Sequence, residues 1–247
     1  MNLRHYLKWL GIAAGTIVVL FLAYQILLIF PQPFFPYHAQ YKHIKIYSRN
    51  KLSANITEML QKTDNLLSRS ELYNPEKESR IFVCDSYKVF WFYTGGQRHI
   101  FAVCYPHTSG NIFVPKADYE RDLVLFEKIN PQDTRQRHLT NTLAHEITHF
   151  YIYDYLGARA EAALPGWIKE GYCEYVGKGD ALDAKEGIHH LLNGDQAVLG
   201  LYYFRSRRMM ELLIDSQGLS IKEILSHPPN EADISNKLLE TIKSHQN

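Results

Sequence analysis

Cysteine is scarce in this sequence, with three in 247 residues, too few for a disulfide-stapled scaffold. An excess of either charge is also missing, since 27 Lys and Arg face 26 Asp and Glu. Phosphate-binding surfaces carry a basic surplus, so composition excludes nucleic acid as the expected partner. There are no internal repeats and no low-complexity tracts, which excludes solenoids and fibrous arrays. Charged residues make up only 21%, against 46% hydrophobic and 13% aromatic. A chain of that balance is not intrinsically disordered. One further absence is local: residues 1–30 hold no acidic residue, and Trp9 through Phe30 hold no charge of either sign. Set apart from this segment, the remaining 217 residues carry 25 bases and 26 acids. That is enough chain for one large domain or two small lobes sharing a cleft.

The uncharged run from Leu10 to Phe30 is 21 residues long, and a bilayer takes about 20 apolar residues to cross. A cleaved signal peptide has a shorter apolar core and small residues at its cleavage site. Here the run ends in Ile29-Phe30-Pro31-Gln32-Pro33-Phe34-Phe35-Pro36. A retained signal anchor is therefore expected over 9–30. Arg4, His5 and Lys8 precede it, so the positive-inside rule places residues 1–8 in the cytoplasm and the domain beyond the membrane. The expected localisation is a single-pass cell-membrane protein with its domain extracytoplasmic, periplasmic or extracellular. Three prolines stiffen a linker over 31–42.

Residues 43–247 are expected to form the functional domain. Short strands are expected at 43–47, Arg80–Cys84, His99–Tyr105 and Asn111–Val114, with a helical pattern from Leu52 to Leu67 between the first two. Residues 86–96 read either as a helix ended by Gly95 or as a hairpin turning at Gly95-Gly96. Helices are expected near 120–129, 134–156, 165–176, 181–193, 200–216, 220–226 and 231–244. Ser220 and Glu223 form a capping box for one of these. The fold class is thus α+β, with an α/β lobe at 43–156 and a helical lobe at 157–247.

The longest helical pattern contains His145-Glu146-Ile147-Thr148-His149. Two histidines four apart share a helix face, so both imidazoles can reach one zinc ion, with the glutamate beside them as general base. They fall about 40° apart on a helical wheel, whereas Leu139, Leu143, Ile147 and Phe150 gather on the other side. Twenty-one residues after His149, Glu170 sits in Pro165-Gly-Trp-Ile-Lys-Glu-Gly-Tyr-Cys-Glu-Tyr175. Two His and one Glu from a second helix would leave a fourth tetrahedral position for water, as hydrolytic zinc sites require.

The pair HEITH and PGWIKEGYCEY resembles the gluzincin superfamily of zinc peptidases, of the peptidase MA-like kind, in which a W-x-x-E-G element supplies the third ligand. The resemblance rests on residues 135–176. It implies a thermolysin-like core: a small mixed sheet in an upper lobe, an active-site helix, a helical lower lobe and a substrate cleft between them. It further implies that His145, His149 and Glu170 bind one Zn2+ and that Glu146 is the general base. Glu174, one turn beyond Glu170, is either a second carboxylate behind a ligand imidazole or a solvated helix residue. The metzincin pattern fails, because it wants glycine at 152 and histidine at 155, where this chain has Ile152 and Tyr155.

An oxyanion also wants a protein donor. Tyr202 and Tyr203 are the candidates, with His189 and His190 behind them, and ordinary packing is the alternative for each. His138 lies two turns before His145, too far along the helix to share an ion. Asn111–Val114 is either a substrate-pairing edge strand or a plain sheet edge. Cys84 and Cys104 end two strands that would allow a disulfide if adjacent, and Cys173 reads as a packing residue rather than a ligand. The function expected is a membrane-anchored zinc metallopeptidase acting on a peptide or protein substrate. The alternative is a catalytically silent peptide-binding or adaptor domain at the membrane.

Overall fold

The protein is described here from a computed structural model covering residues 3–128, 136–179, 182–195 and 197–244. It begins with helix α1 (Leu3–Ile29), whose segment Leu7–Ile29 is long and apolar enough to cross a membrane, with almost none of it buried by the rest of the chain. A single 3-10 turn at Gln32–Phe34 follows, and Phe35 then enters the core at 2% exposure. The stretch expected to be linker contributes a strand, β1 (Tyr37–Tyr41), which turns tightly through Lys42 and His43 into β2 (Ile44–Ser48). Helix α2 (Ile56–Leu67) crosses over to β3 (Ser79–Val83), which runs parallel to β2.

Helix α3 (Tyr87–Tyr93) follows, resolving the choice between helix and hairpin in favour of the helix, with Gly95 at a positive φ just beyond it. The chain then forms the short strand β4 (Val103–Cys104) and β5 (Asn111–Val114), whose register ends before Pro115. The sheet order is β1-β2-β3-β5-β4. Asn111–Val114 is therefore not an edge. It lies inside the sheet, parallel to β3 and antiparallel to β4, and all four of its residues are buried. For the same reason Cys84 and Cys104 do not neighbour one another, because β5 runs between their strands, and both thiols are free.

Side chains on this sheet alternate between two cores, as the two-residue period of strands demands. Ile81, Val83, Ile112 and Val114 join the main core with α2 and the later helices. Phe82 and Phe113 face the other way, into an aromatic cluster with Phe35, Phe90, Tyr93 and Leu28 from the end of α1.

No helix forms over 120–128. That segment instead pairs β6 (Ala117–Asp118) with β7 (Leu123–Val124), and residues 129–135 lie outside the described part. Asp122 acts as a cap there: its carboxylate accepts from the backbone N–H and hydroxyl of Thr140, 2.9 Å each. Helix α4 (Leu139–Ala163) starts on that cap and breaks at Gly157, where φ 74 and ψ 165 are not helical. The helical expectation for 134–156 thus holds from 139 onward. Beyond it come α5 (Gly166–Gly177), α6 (Ala184–Asn193) and α7 (Leu201–Glu211), the last extended by a π turn over Leu212–Ser216. Helices α8 (Ile221–Ser226) and α9 (Glu231–Ser244) close the chain. The capping box of Ser220 and Glu223 is formed.

Candidate metal centre

Helices α4 and α5 build the site. The apolar face of α4, with Leu139, Leu143 and Ile147 at 0% exposure, is locked into the main core. This turns His145 and His149 towards the opposite side. Helix α5 is held by Trp167 and Ile168, buried at 2% and 0%, and one turn later Glu170 faces the two imidazoles. Their donor atoms converge. His149 Nε2 lies 3.2 Å from His145 Nε2, and Glu170 Oε2 lies 3.3 Å from His145 Nε2 and 3.7 Å from His149 Nε2. Ligand bonds of about 2.0–2.1 Å in a tetrahedron set donor separations near 3.3 Å. The triangle fits a single small cation.

Charge at the site is arranged around that point. Burial alone would lower the pKa of His145, but the carboxylates of Glu174, Glu170 and Glu146 overcome it and push the imidazole up to about 10. Burial dominates at His149 and takes it down to about 4. Burial would raise Glu170, yet the facing His149 and His145 hold its carboxyl down at about 2. The cluster thus sets the carboxylates of Glu146, Glu170 and Glu174 around two imidazoles, and their combined charge favours a proton on His145.

Glu174 is 1% exposed, so it is not a solvated helix residue. Its Oε1 sits 3.0 Å from His145 Nδ1 and accepts from Arg137 Nη2 at 2.5 Å. This sets a buried carboxylate behind the imidazole. Glu146 is also buried, at 8%, and burial pushes its carboxyl up to about 7. It lines a cavity of about 450 Å³ together with the three converging residues, Tyr203 and Cys104. Tyr203 approaches His145 with ring centroids 6.4 Å apart, and burial raises its phenol to about 12. Tyr202 does not line this cavity; its hydroxyl is turned towards Gly166. His189 and His190 lie away on α6, paired with Asn193 and Asp195. His138 is exposed, with its Nδ1 3.2 Å from the Asp122 carbonyl.

Several cleft residues had no motif to announce them. Arg137 precedes α4, and Glu161 lies beyond the Gly157 break. The buried Glu161 carboxylate receives Lys169 Nζ at 2.5 Å and His107 Nε2 at 3.0 Å, giving the cavity a polar wall. Cys173 is fully buried, and its sulfur with the nitrogens of His145 and His149 forms a second set of donors, all within 4.8 Å. The sheet edge facing the cavity is β4. No protein-family model matches this sequence, and no curated protein matches it.

Proposed function

We propose that this chain is a membrane-anchored zinc metallopeptidase that hydrolyses a peptide or protein substrate outside the cytoplasm. The observation that carries this reading is the convergence of His145, His149 and Glu170 to 3.2–3.7 Å, with the buried carboxylate of Glu146 on the same cavity wall. The resemblance of HEITH and PGWIKEGYCEY to gluzincins supports the same assignment, and with it a thermolysin-like core. A zinc ion bound by those three residues supplies Lewis acidity, polarising a peptide carbonyl and acidifying water.

The chain's own residues do the rest. Glu146 takes a proton from the attacking water and hands it to the leaving amine, a task suited to a carboxyl whose pKa lies near neutrality. Glu174 keeps His145 in the tautomer that presents Nε2 to the cation. Tyr203 is the donor best positioned for the oxyanion. The free edge of β4 offers main-chain pairing to an extended substrate, the role the sequence had suggested for Asn111–Val114. Helix α1 holds the domain at the membrane.

The test is peptide-library cleavage by the zinc-loaded full-length chain, with and without chelator, alongside metal analysis. The expected result is about one zinc per chain and cleavage that stops on chelation and returns with zinc. A chain that binds its zinc and cleaves nothing would favour the silent peptide-binding domain. A chain that takes up no zinc would leave an anchored adaptor.

A further inference from the structure

The junction between α1 and the domain is not a loose tether. Asn111, fully buried in β5, donates its Nδ2 to the carbonyls of Leu28 and Ile29 at 2.7 and 3.2 Å. One turn earlier, the Tyr24 hydroxyl donates to the carbonyl of Phe92 at 2.7 Å, and the two rings meet edge to face at 5.2 Å. Tyr24 lies five residues before Ile29, the last residue of the apolar span. At 1.5 Å per residue, Phe92 is therefore level with a point about 7.5 Å inside the end of that span. The domain reaches back along the helix, and the C-terminal end of α3 comes with it.

Between α1 and α3 lies a cavity of about 330 Å³, walled by Leu27, Phe34, Val89 and Phe92, with Arg49 and Lys88 also on its lining. Phe30, Phe34 and Phe92 stay exposed at 59%, 53% and 45%, an apolar surface that water would not favour. Both basic residues are exposed, and neither pairs with a carboxylate among the described residues. Asp85, on the loop before α3, is already taken by Ser48 and by the backbone N–H of Asn50. Helix α3 contains no acidic residue, and Arg98 lies 3.7 Å over the ring of its Trp91. Aromatic side chains interleaved with bases are suited to the boundary between headgroups and acyl chains.

We propose that this cleft binds an anionic phospholipid of the surrounding leaflet. An acyl chain would lie against Leu27, Phe34 and Phe92, and the phosphate would sit between Arg49 and Lys88. The lipid thereby fixes how the domain is seated on the membrane. The proposal rests on α1 being a retained span and is independent of the zinc chemistry.

The test uses the full-length chain in nanodiscs of phosphatidylcholine with or without phosphatidylglycerol. The photo-crosslinker p-benzoylphenylalanine replaces Phe34 or Phe92, or, as a control, Lys62 on the exposed side of α2. Lipid adducts found by mass spectrometry are expected at 34 and 92 and not at 62, with phosphatidylglycerol preferred. The double variant Arg49→Glu, Lys88→Glu, both at solvent-exposed positions, is expected to reduce that preference about 10-fold. Adducts no more frequent at 34 and 92 than at 62 would overturn the lipid site. Adducts indifferent to headgroup charge and to the double variant would overturn the anionic assignment. Extraction of the chain from membranes by alkaline carbonate would overturn the anchor reading, and the lipid site with it.

Discussion

His145 is the residue whose charge the proposed zinc binding would change. Its imidazole, raised to about 10 by Glu174, Glu170 and Glu146 against the effect of burial, carries a proton at neutral pH when the site is metal-free. A metal ligand must be deprotonated, so zinc uptake between pH 7 and 8 is expected to release about one proton per ion. Calorimetry in two buffers of different ionisation enthalpy measures this directly, and identical heats in both would refute it. Replacing Glu174 removes the group behind His145 and leaves Arg137 buried without its partner. We expect Glu174→Ala to weaken zinc binding by roughly 10–100-fold, read by competition with a chromophoric chelator. The two possible donor sets separate by mutation: Glu170→Gln should lower zinc affinity, and Cys173→Ala should leave it nearly unchanged. The reverse outcome would assign the third ligand to the sulfur. At this scale the sequence was informative where chemistry repeats along one helix, as with His145 and His149, or belongs to a compact motif, as with Glu170. Arg137, Glu161, Lys169 and His107 were not legible, because only tertiary packing brings their separate segments to one cavity.

Two glycines show how backbone freedom shapes the helices around the site. Gly157 ends the part of α4 that carries His145 and His149 at φ 74 and ψ 165, a conformation open to glycine and costly to other residues. Gly171 lets α5 approach α7 so closely that an added Cβ would stand 2.6 Å from the backbone oxygen of Ser206. Gly171→Ala is expected to lower stability by about 1–3 kcal/mol despite its better helix propensity, because backbone must move. Denaturant unfolding measures this, and an unchanged midpoint would contradict the close packing. Element types were read well where long periodic runs exist, as in α2, α5 and α9. The helix expected over 120–129 fails because Tyr119, Leu123 and Phe126 imitate helical spacing while Leu123 and Val124 pair with β6 instead. Strand β1 follows Pro31, Pro33 and Pro36, and its mostly exposed residues carry little alternating signal. Pro115, closing Asn111–Val114, suits a sheet edge, yet β4 pairs outside this strand, a contact nothing local in the sequence predicts.

Among the described residues, the five-stranded sheet separates two cores. Its aromatic face receives the end of α1, and its other face shares a core with the helices that carry His145, His149 and Glu170. Asn111 ties the end of α1 to the strand next to β4 and so to the edge of the cleft. Asn111→Ala is expected to cost about 1–3 kcal/mol, leaving the Leu28 and Ile29 carbonyls without their buried donor. Faster hydrogen exchange over residues 30–36 in nanodiscs would report the loosened junction, and unchanged exchange would contradict it. The division into an apolar segment and a domain was visible in the charge distribution, whereas the docking of one onto the other required Asn111 and Tyr24 to be seen in place. The central claim is that zinc held by His145, His149 and Glu170 hydrolyses peptide bonds with Glu146 as base. Its most direct test compares peptide cleavage by the full-length chain and by Glu146→Gln at equal zinc content. The account predicts cleavage by the first and at least a ~100-fold loss in the second; equal rates at equal zinc would contradict it.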